Sequence, residues 1–425
     1  MIISRVQALN YGCLRYVDVP LDRFHVFIGP NASGKSTLMD AIKFVSDVVR
    51  DGAEAAYRAR TDNFADLVWG RPENPEEQRF EIALEFALPE ELREKMPERL
   101  PFTIFRYEMA VAANPETGKV GLAEEKGMLL LRSTYRPREL SLFPVPAPPP
   151  QTLFLSQSRG RRTVFRMGEG RRSRFNEETI EKTGNINWSA GLPLNPDRSM
   201  LSILPDYDDK FPASTGALVF LRDKVIPLAL NSQLMRQASP PGMGGDLRPD
   251  GSNLPWVADA LLKQDRERAR WWMGHMQCAL KGFKSVRVVE REDNRHKYLM
   301  LKYDNGLEVP SWKASDGTLR FMALTLLANL YRATGLYMIE EPENGIHPEA
   351  VEELCNSLSC VYDAQVLLAT HSPQIVTVSK ISNLCVFAKT GDGEVDITPG
   401  PYHPRLEDWQ FHVDLGTFFA SGFLA

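Results

Sequence analysis

Gly29-Pro30-Asn31-Ala32-Ser33-Gly34-Lys35-Ser36-Thr37 is the stretch around which the rest of the chain is read. It meets the phosphate-loop pattern G-x-x-x-x-G-K-[ST] at every fixed position. Gly29 and Gly34 let the backbone curl so that successive N–H groups face phosphate oxygens. Lys35 offers a mobile cation to the β and γ phosphates, and Ser36 a hydroxyl to Mg²⁺. The flanks agree. Phe24 to Ile28 reads as a short buried strand, and Leu38, Ile42, Val45 and Val49 recur at helical spacing. A loop between strand and helix places the anion at a helix N-terminus. A nucleoside triphosphate site is expected.

The C-terminal third supplies matching pieces. Ala314-Ser315-Asp316-Gly317-Thr318-Leu319-Arg320 precedes an apolar helix that Ser315 or Asp316 can cap. Alone, this is an ordinary N-cap or an anion site. Leu336 to Ile339 reads as a buried strand ending in Glu340-Glu341-Pro342-Glu343. Adjacent carboxylates at a strand end repel each other and resist desolvation, which argues against a purely structural role. Beside a phosphate loop they assign Glu340 to the Mg²⁺ shell and Glu341 to general base. Val366 to Thr370 is a second buried strand, followed by His371-Ser372-Pro373. A lone histidine is more often structural, but this one follows a strand end and is expected at the γ-phosphate.

Between these blocks the chain changes character. Strands are expected over Met1 to Val6, Arg15 to Pro20, Arg79 to Phe86 and Phe102 to Val111, with a hairpin turn at Asn114 to Gly118. Pro144, Pro146, Pro148, Pro149 and Pro150 mark a connection no helix could cross. Arg159, Arg161, Arg162, Arg166, Arg171, Arg172 and Arg174 then face Glu169 as the only acid between 151 and 175. A hairpin turning at Gly168-Glu169-Gly170 could carry them as a ribbon along a phosphate backbone, or pair them with acidic neighbours. Helices are expected over Leu218 to Leu230 and Val257 to Leu280, with one of Trp271 and Trp272 buried and the other partly exposed. Strands follow over Ser285 to Glu290 and Lys297 to Tyr303, before a turn at Asp304-Asn305-Gly306.

Length allows two or three domains, divided here as 1–110, 111–300 and 301–425: the two halves of a nucleotide-binding head around an insertion of β-hairpins and helices. At 43% hydrophobic and 25% charged, with net charge −5, the composition is that of an ordered globular chain without a global pull toward nucleic acid. Cys13, Cys278, Cys355, Cys360 and Cys385 are odd in number and lack C-x-x-C spacing, which points to reduced thiols in a cytoplasmic protein. No signal peptide or membrane span is legible.

The phosphate loop, S-D-G-T, I-E-E-P-E-N-G-I-H-P and A-T-H-S-P in this order resemble the ABC-type ATPase heads of the SMC/RecF superfamily, in particular stand-alone, OLD-like ATPases. The resemblance covers about 1–110 and 300–425. It implies an α/β fold, a mixed sheet with helices plus an antiparallel β lobe and a helical lobe carrying the signature. It also implies ATP hydrolysis with Mg²⁺ by two heads that sandwich two nucleotides. Ser315 and Gly317 would then touch the partner copy's γ-phosphate, Asn344, Gly345, Ile346 and His347 would cross the dimer seam, and His371 would be the switch histidine. Glu340 stands where many relatives have Asp, S-D-G-T is shorter than L-S-G-G, and Gln78 is the only candidate for the Q-loop. Neither a long coiled coil nor room for a nuclease domain is legible. Two roles fit: a regulatory switch for a separately encoded effector, expected to be a nuclease, in a defence-type system; or a RecF-like ATPase acting on DNA through the arginines.

Overall fold

The computed structural model describes residues 1–96, 101–135, 148–167, 173–179, 195–204, 210–330, 333–407 and 414–422. Its frame is two large sheets. The first is seven-stranded and antiparallel: β1 (Ile2–Tyr11), β2 (Leu14–Pro20), β4 (Arg79–Ala87), β5 (Ile104–Ala113), β6 (Val120–Leu130), β7 (Arg161–Met167) and β8 (Ser173–Phe175), in the order β2-β1-β4-β5-β6-β7-β8. β5 passes through residue 110 without a break, and β6 to β8 extend the same sheet.

The second sheet has six strands. β3 (Phe24–Ile28), β9 (Val225–Leu228), β13 (Gly335–Glu340), β14 (Ala364–Thr370), β15 (Leu384–Lys389) and β16 (Val395–Pro399) lie in the order β16-β15-β3-β14-β13-β9. All its pairings are parallel except β15 with β16. A third, small antiparallel sheet holds β10 (Phe283–Glu290), β11 (Lys297–Tyr303) and β12 (Glu308–Pro310).

A parallel sheet must be covered on both faces, and two separate cores do so. Helix α1 (Lys35–Asp51) lies between the large sheets; Leu38, Ile42 and Val45 pack in one core with Phe80, Phe27, Leu367 and Met338. Alternate residues of the same strands, Val26, Ile28, Tyr337, Ile339 and Leu368, face the other core. That core is closed by α3 (Leu254–Gln264), α4 (Arg266–Ala279), α5 (Asp316–Leu327) and α6 (Pro348–Ser359), while α2 (Pro212–Asp223) packs with the first. Gln365, fully buried on β14, joins the two sheets. Its amide oxygen accepts from Ile3 N at 3.0 Å, and its amide nitrogen donates to the carbonyls of Ile3 and Asp22 at 2.7 and 2.8 Å. Among the described residues no helix is long and apolar enough to cross a membrane.

Two expected elements differ. The helix anticipated over Leu218 to Leu230 stops at Asp223, and Val225–Leu228 is an edge strand beside β13. The reason is local: Pro227 would break a helix but is tolerated at a sheet edge, and Val225 and Ile226 are β-branched. The helix expected over Val257 to Leu280 is two helices, split at Asp265, whose side chain accepts from Glu267 N and Arg268 N. Trp272 is fully buried and Trp271 exposed. Pro144, Pro146 and the turn at 168–170 lie outside the described residues.

The antiparallel sheet carries charge in mid-strand. Arg5 on β1, Glu85 on β4 and Arg106 on β5 stand directly across from one another. Arg5 reaches Glu85 at 2.8 Å and Arg106 reaches it at 3.0 Å, while Arg106 Nε donates to Glu108 at 2.6 Å. A chain segment from 148 to 158 crosses this face as a strap. Leu153 N donates to Glu81 at 2.6 Å and Arg106 donates to Leu153 O at 2.9 Å. Two residues on, Leu155 N donates to Glu108 at 3.0 Å and Lys126 donates to Leu155 O. Buried charges are tolerated only when paired and hydrogen-bonded, and the strap backbone meets much of that requirement, leaving Glu108 Oε2 without a partner among the described residues.

Candidate functional site

The register of the parallel sheet brings the motifs together. Thr370 pairs with Ile28 and Glu340 with Ala369, so β3, β14 and β13 end side by side. Each motif begins where its strand stops. Topology rather than sequence proximity assembles the site, at the C-terminal strand ends where open α/β sheets take ligands.

The phosphate loop needs its glycines for different reasons. At Gly29 a Cβ would lie 2.4 Å from the Phe387 carbonyl oxygen, a backbone atom that cannot yield. Gly34 has φ 98° and Ala32 has φ 60°, so the turn uses left-handed backbone on either side of Ser33. The N-terminus of α1 has no side-chain cap, which leaves its first-turn N–H groups to an anion. Lys35 folds back over the loop and donates to Gly29 O at 2.7 Å and Pro30 O at 2.8 Å. Burial lowers the Lys35 pKa, and the nearby Glu341 and Glu340 act against that shift.

Ser36 donates to Glu340 Oε2 at 2.9 Å, although the two lie 304 residues apart. Two ligands on adjacent corners of an Mg²⁺ octahedron, with bonds of about 2.1 Å, stand about 3.0 Å apart. A hydroxyl and a carboxylate at that spacing fit the ion's preference for hard oxygen donors, with other positions left to water and phosphate. Glu341 has left-handed backbone, φ 49°, and donates its N–H to Ala369 O at 2.8 Å. Its carboxylate lies 2.6 Å from His371 Nδ1. The structure therefore unites Lys35, Ser36, Glu340, Glu341 and His371.

A third carboxylate belongs to the cluster. Glu343 accepts from Thr370 Oγ1 at 2.5 Å, its Oε2 has no hydrogen-bond partner among the described residues, and burial raises its pKa. Glu341, Glu343 and His371 bring ligand atoms within 4.8 Å of one another. Its place two residues beyond Glu341 in E-E-P-E was the available signal.

A cleft of about 490 Å³ opens beside this cluster, lined by Ser36, Asp40, Lys43, Arg320, Glu340 and Asn344 and closed by Pro227 to Leu230. The misread helix hid the last of these, because the end of β9 reaches the site only as a strand. Arg320, two residues beyond Thr318, was also missed. It donates to the carbonyls of Leu230 and Glu341 at 3.4 Å, and burial lowers its pKa. Gln78 instead donates its amide to Pro72 O at 3.0 Å.

Ser315 caps α5 by accepting from Thr318 N at 3.1 Å. Gly317 is buried, and a Cβ there would lie 1.9 Å from Gly345 O. The start of α5 and the loop after Glu343 are thus in backbone contact, while Ser315, Asn344, Gly345 and His347 are exposed. His347 caps α6 through Glu349 N at 3.3 Å.

Residues 1–137 match the model of the AAA ATPase domain, and residues 171–377 match that of an AAA domain described as putative AbiEii toxin, Type IV TA system. Among solved structures, an SmcHead bound to the C-winged helix domain of ScpA aligns over 94% of this chain and 98% of its own, at 12% identity and TM-score 0.54. The chain is an ATPase with two AAA-type stretches and the fold of an SMC head. An SMC head domain from Thermotoga maritima aligns over 94% of this ATPase and 99% of its own length, at 13% identity and TM-score 0.43. No curated protein matches the ATPase.

Among the described residues of the arginine cluster, the two alternatives are divided. Arg162 is turned inward, donating to the carbonyls of Glu177 and Glu178, and burial lowers its pKa. Arg166 pairs with Glu124 at 3.3 Å. Arg159 is exposed and Arg161 half-buried, donating to Ser156 O at 3.0 Å. Arg171, Arg172 and the Arg174 side chain lie outside the described residues.

Proposed function

We propose that this ATPase is a switch: two copies engage around Mg-ATP and separate after hydrolysis. Lys35 and the loop amides of Asn31 to Thr37 hold the phosphates, Ser36 and Glu340 hold Mg²⁺, Glu341 takes the proton of the attacking water, and His371 contacts the γ-phosphate. Magnesium supplies charge neutralisation of the phosphate oxygens. The hydrogen bond between Ser36 and Glu340 is the observation that carries this reading, because it closes the metal corner of the site from both ends of the chain. Ser315 and Gly317 would meet the partner copy's nucleotide with Asn344 to His347 at the seam. Exposure of Ser315, Asn344, Gly345 and His347 on touching segments supports that arrangement, whereas Gly317 and Ile346 are buried. The γ-phosphate then touches two surfaces at once, so its loss releases both.

In this reading the switch governs a separately encoded effector, a nuclease by expectation, within a defence-type system of the stand-alone, OLD-like kind. The description of the model matched over 171–377 supports that context. The division into head halves at 1–110 and 301–425 around an insertion belongs to the same proposal. A second reading, direct action on DNA as in RecF-like repair ATPases, is favoured by exposed Arg159 and weakened by the internal duty of Arg162 and the pairing of Arg166 with Glu124.

Glu341→Gln separates chemistry from engagement. Turnover of ATP should fall by about 10²–10⁴-fold. Sedimentation in ATP should show a dimer that persists instead of decaying. Wild-type turnover in this variant would remove Glu341 from the mechanism.

A further inference from the structure

A second cleft, of about 1190 Å³, opens on the antiparallel sheet where the chain leaves β6 and enters β7. Leu131 N donates to Gly160 O at 3.1 Å, which ties the two banks together at one end. Arg132, Ser133 and Tyr135 come from the bank leaving β6, and Ser158, Arg159 and Arg161 from the bank entering β7. Arg5 forms part of the lining, neutralised by Asp18 at 2.6 Å and Glu85 at 2.8 Å. Among the described residues no aspartate or glutamate lines the cleft.

The contrast with the rest of this sheet matters. Arg5, Arg79, Arg106 and Arg166 each meet a carboxylate, whereas Arg132 and Arg159 meet none among the described residues and Arg161 has only the Ser156 carbonyl. Three guanidinium groups turned toward one concave space repel one another unless an anion joins them. Arginine forks match phosphate oxygens in pairs, and hydroxyls beside them accept or donate as the ester requires. Leu130, Leu131 and Leu155 supply an apolar surface for the organic part of such a ligand.

We propose that Arg132, Arg159 and Arg161 form a phosphate-ester site on the antiparallel sheet, separate from the phosphate loop. Its ligand is a mononucleotide-sized phosphate or one stretch of a single-stranded nucleic acid. The chemistry read is the same in both cases; reach distinguishes them.

The test uses the full chain with Lys35→Ala, so that the phosphate loop does not compete. Radiolabelled dTMP is followed by equilibrium dialysis and a fluorescent single-stranded oligothymidylate by anisotropy, at about 50 and 200 mM salt. At least one probe should bind, and Arg132→Gln with Arg159→Gln and Arg161→Gln should weaken it tenfold or more. If the strand is the ligand, the slope of log affinity against log salt should fall by about 2 when three contacts are lost. Arg266→Gln with Arg270→Gln, exposed on α4, should change neither, and thermal melting checks that all variants fold. Binding of dTMP identifies the small ligand, and binding of the strand alone identifies nucleic acid. No binding of either probe, or equal binding by the folded triple variant, overturns the site.

Discussion

Both large sheets carry glutamates, and the two sets meet opposite fates. On the parallel sheet Glu340 and Glu341 stand at a strand end, with one oxygen toward Ser36 and another toward His371. On the antiparallel sheet Glu81, Glu85 and Glu108 stand in mid-strand, sealed under the strap and answered by arginines and backbone. The difference is positional. A strand end opens onto loops that can part for a ligand, whereas the middle of a covered strand is closed and must be satisfied from within. In the proposed reading, charge at the first place serves binding; charge at the second holds a segment down.

The sharpest break of that comparison is Lys35→Ala. It should lower ATP turnover by about 10²–10³-fold, as loss of one preorganised charge donor does, while the unfolding midpoint in urea stays near wild type. Arg106→Ala should do the reverse. It takes one of two arginines from Glu85, leaves Glu108 with no arginine partner and frees Leu153 O, which predicts about 3–5 kcal/mol of lost stability by urea denaturation. Turnover per folded molecule should be unchanged. Equal damage by both variants to both readouts would erase the distinction.

Two smaller effects sharpen it. Gly317→Ala drives a methyl group into the Gly345 carbonyl and should cost about 1–3 kcal/mol of stability, because neither backbone can yield. Its thermal melt should therefore fall although no charge at the strand ends has changed. Glu178 marks the antiparallel side's dependence on burial. It is fully buried, accepts from Ala213 N, Ser214 N and Ser214 Oγ at the start of α2, and burial pushes its pKa from 4.5 up to about 7. The folded state then holds this proton more tightly than the unfolded state does. Its contribution to stability is fully present at low pH and is lost as pH rises from about 4.5 to 7. Glu178→Gln should flatten that part of the stability curve, read as urea midpoints across the same pH range.

Legibility followed the same division. The phosphate loop, E-E-P-E and A-T-H were readable because each is a short run whose strand, turn and helix lie within a few residues. The edge strand Val225–Leu228 was legible only in part: Pro227 speaks against a helix, but a four-residue apolar run has no period of its own to announce a strand beside β13. Arg320 was hidden by the same error, because the segment its guanidinium touches had been placed in a helix. The strap was hidden for another reason. Alternation in Arg79 to Ala87 and Ile104 to Ala113 announces two faces but not what lies over the polar one. Composition counted seven arginines as a single patch; the fold sent Arg162 inward and set Arg132, forty residues away from Arg172, beside Arg159.

Gln365 gives the two sheets a common joint. A side-chain amide grips both backbone groups of Ile3, so the strand that ends just before His371 is fastened near its start to the first strand of the other lobe. Such a pin resists separation more than rotation. Any tilt of one lobe against the other must pivot close to residue 365, and an attempt to produce the lobes as separate polypeptides would leave that amide, and the backbone it grips, in search of water.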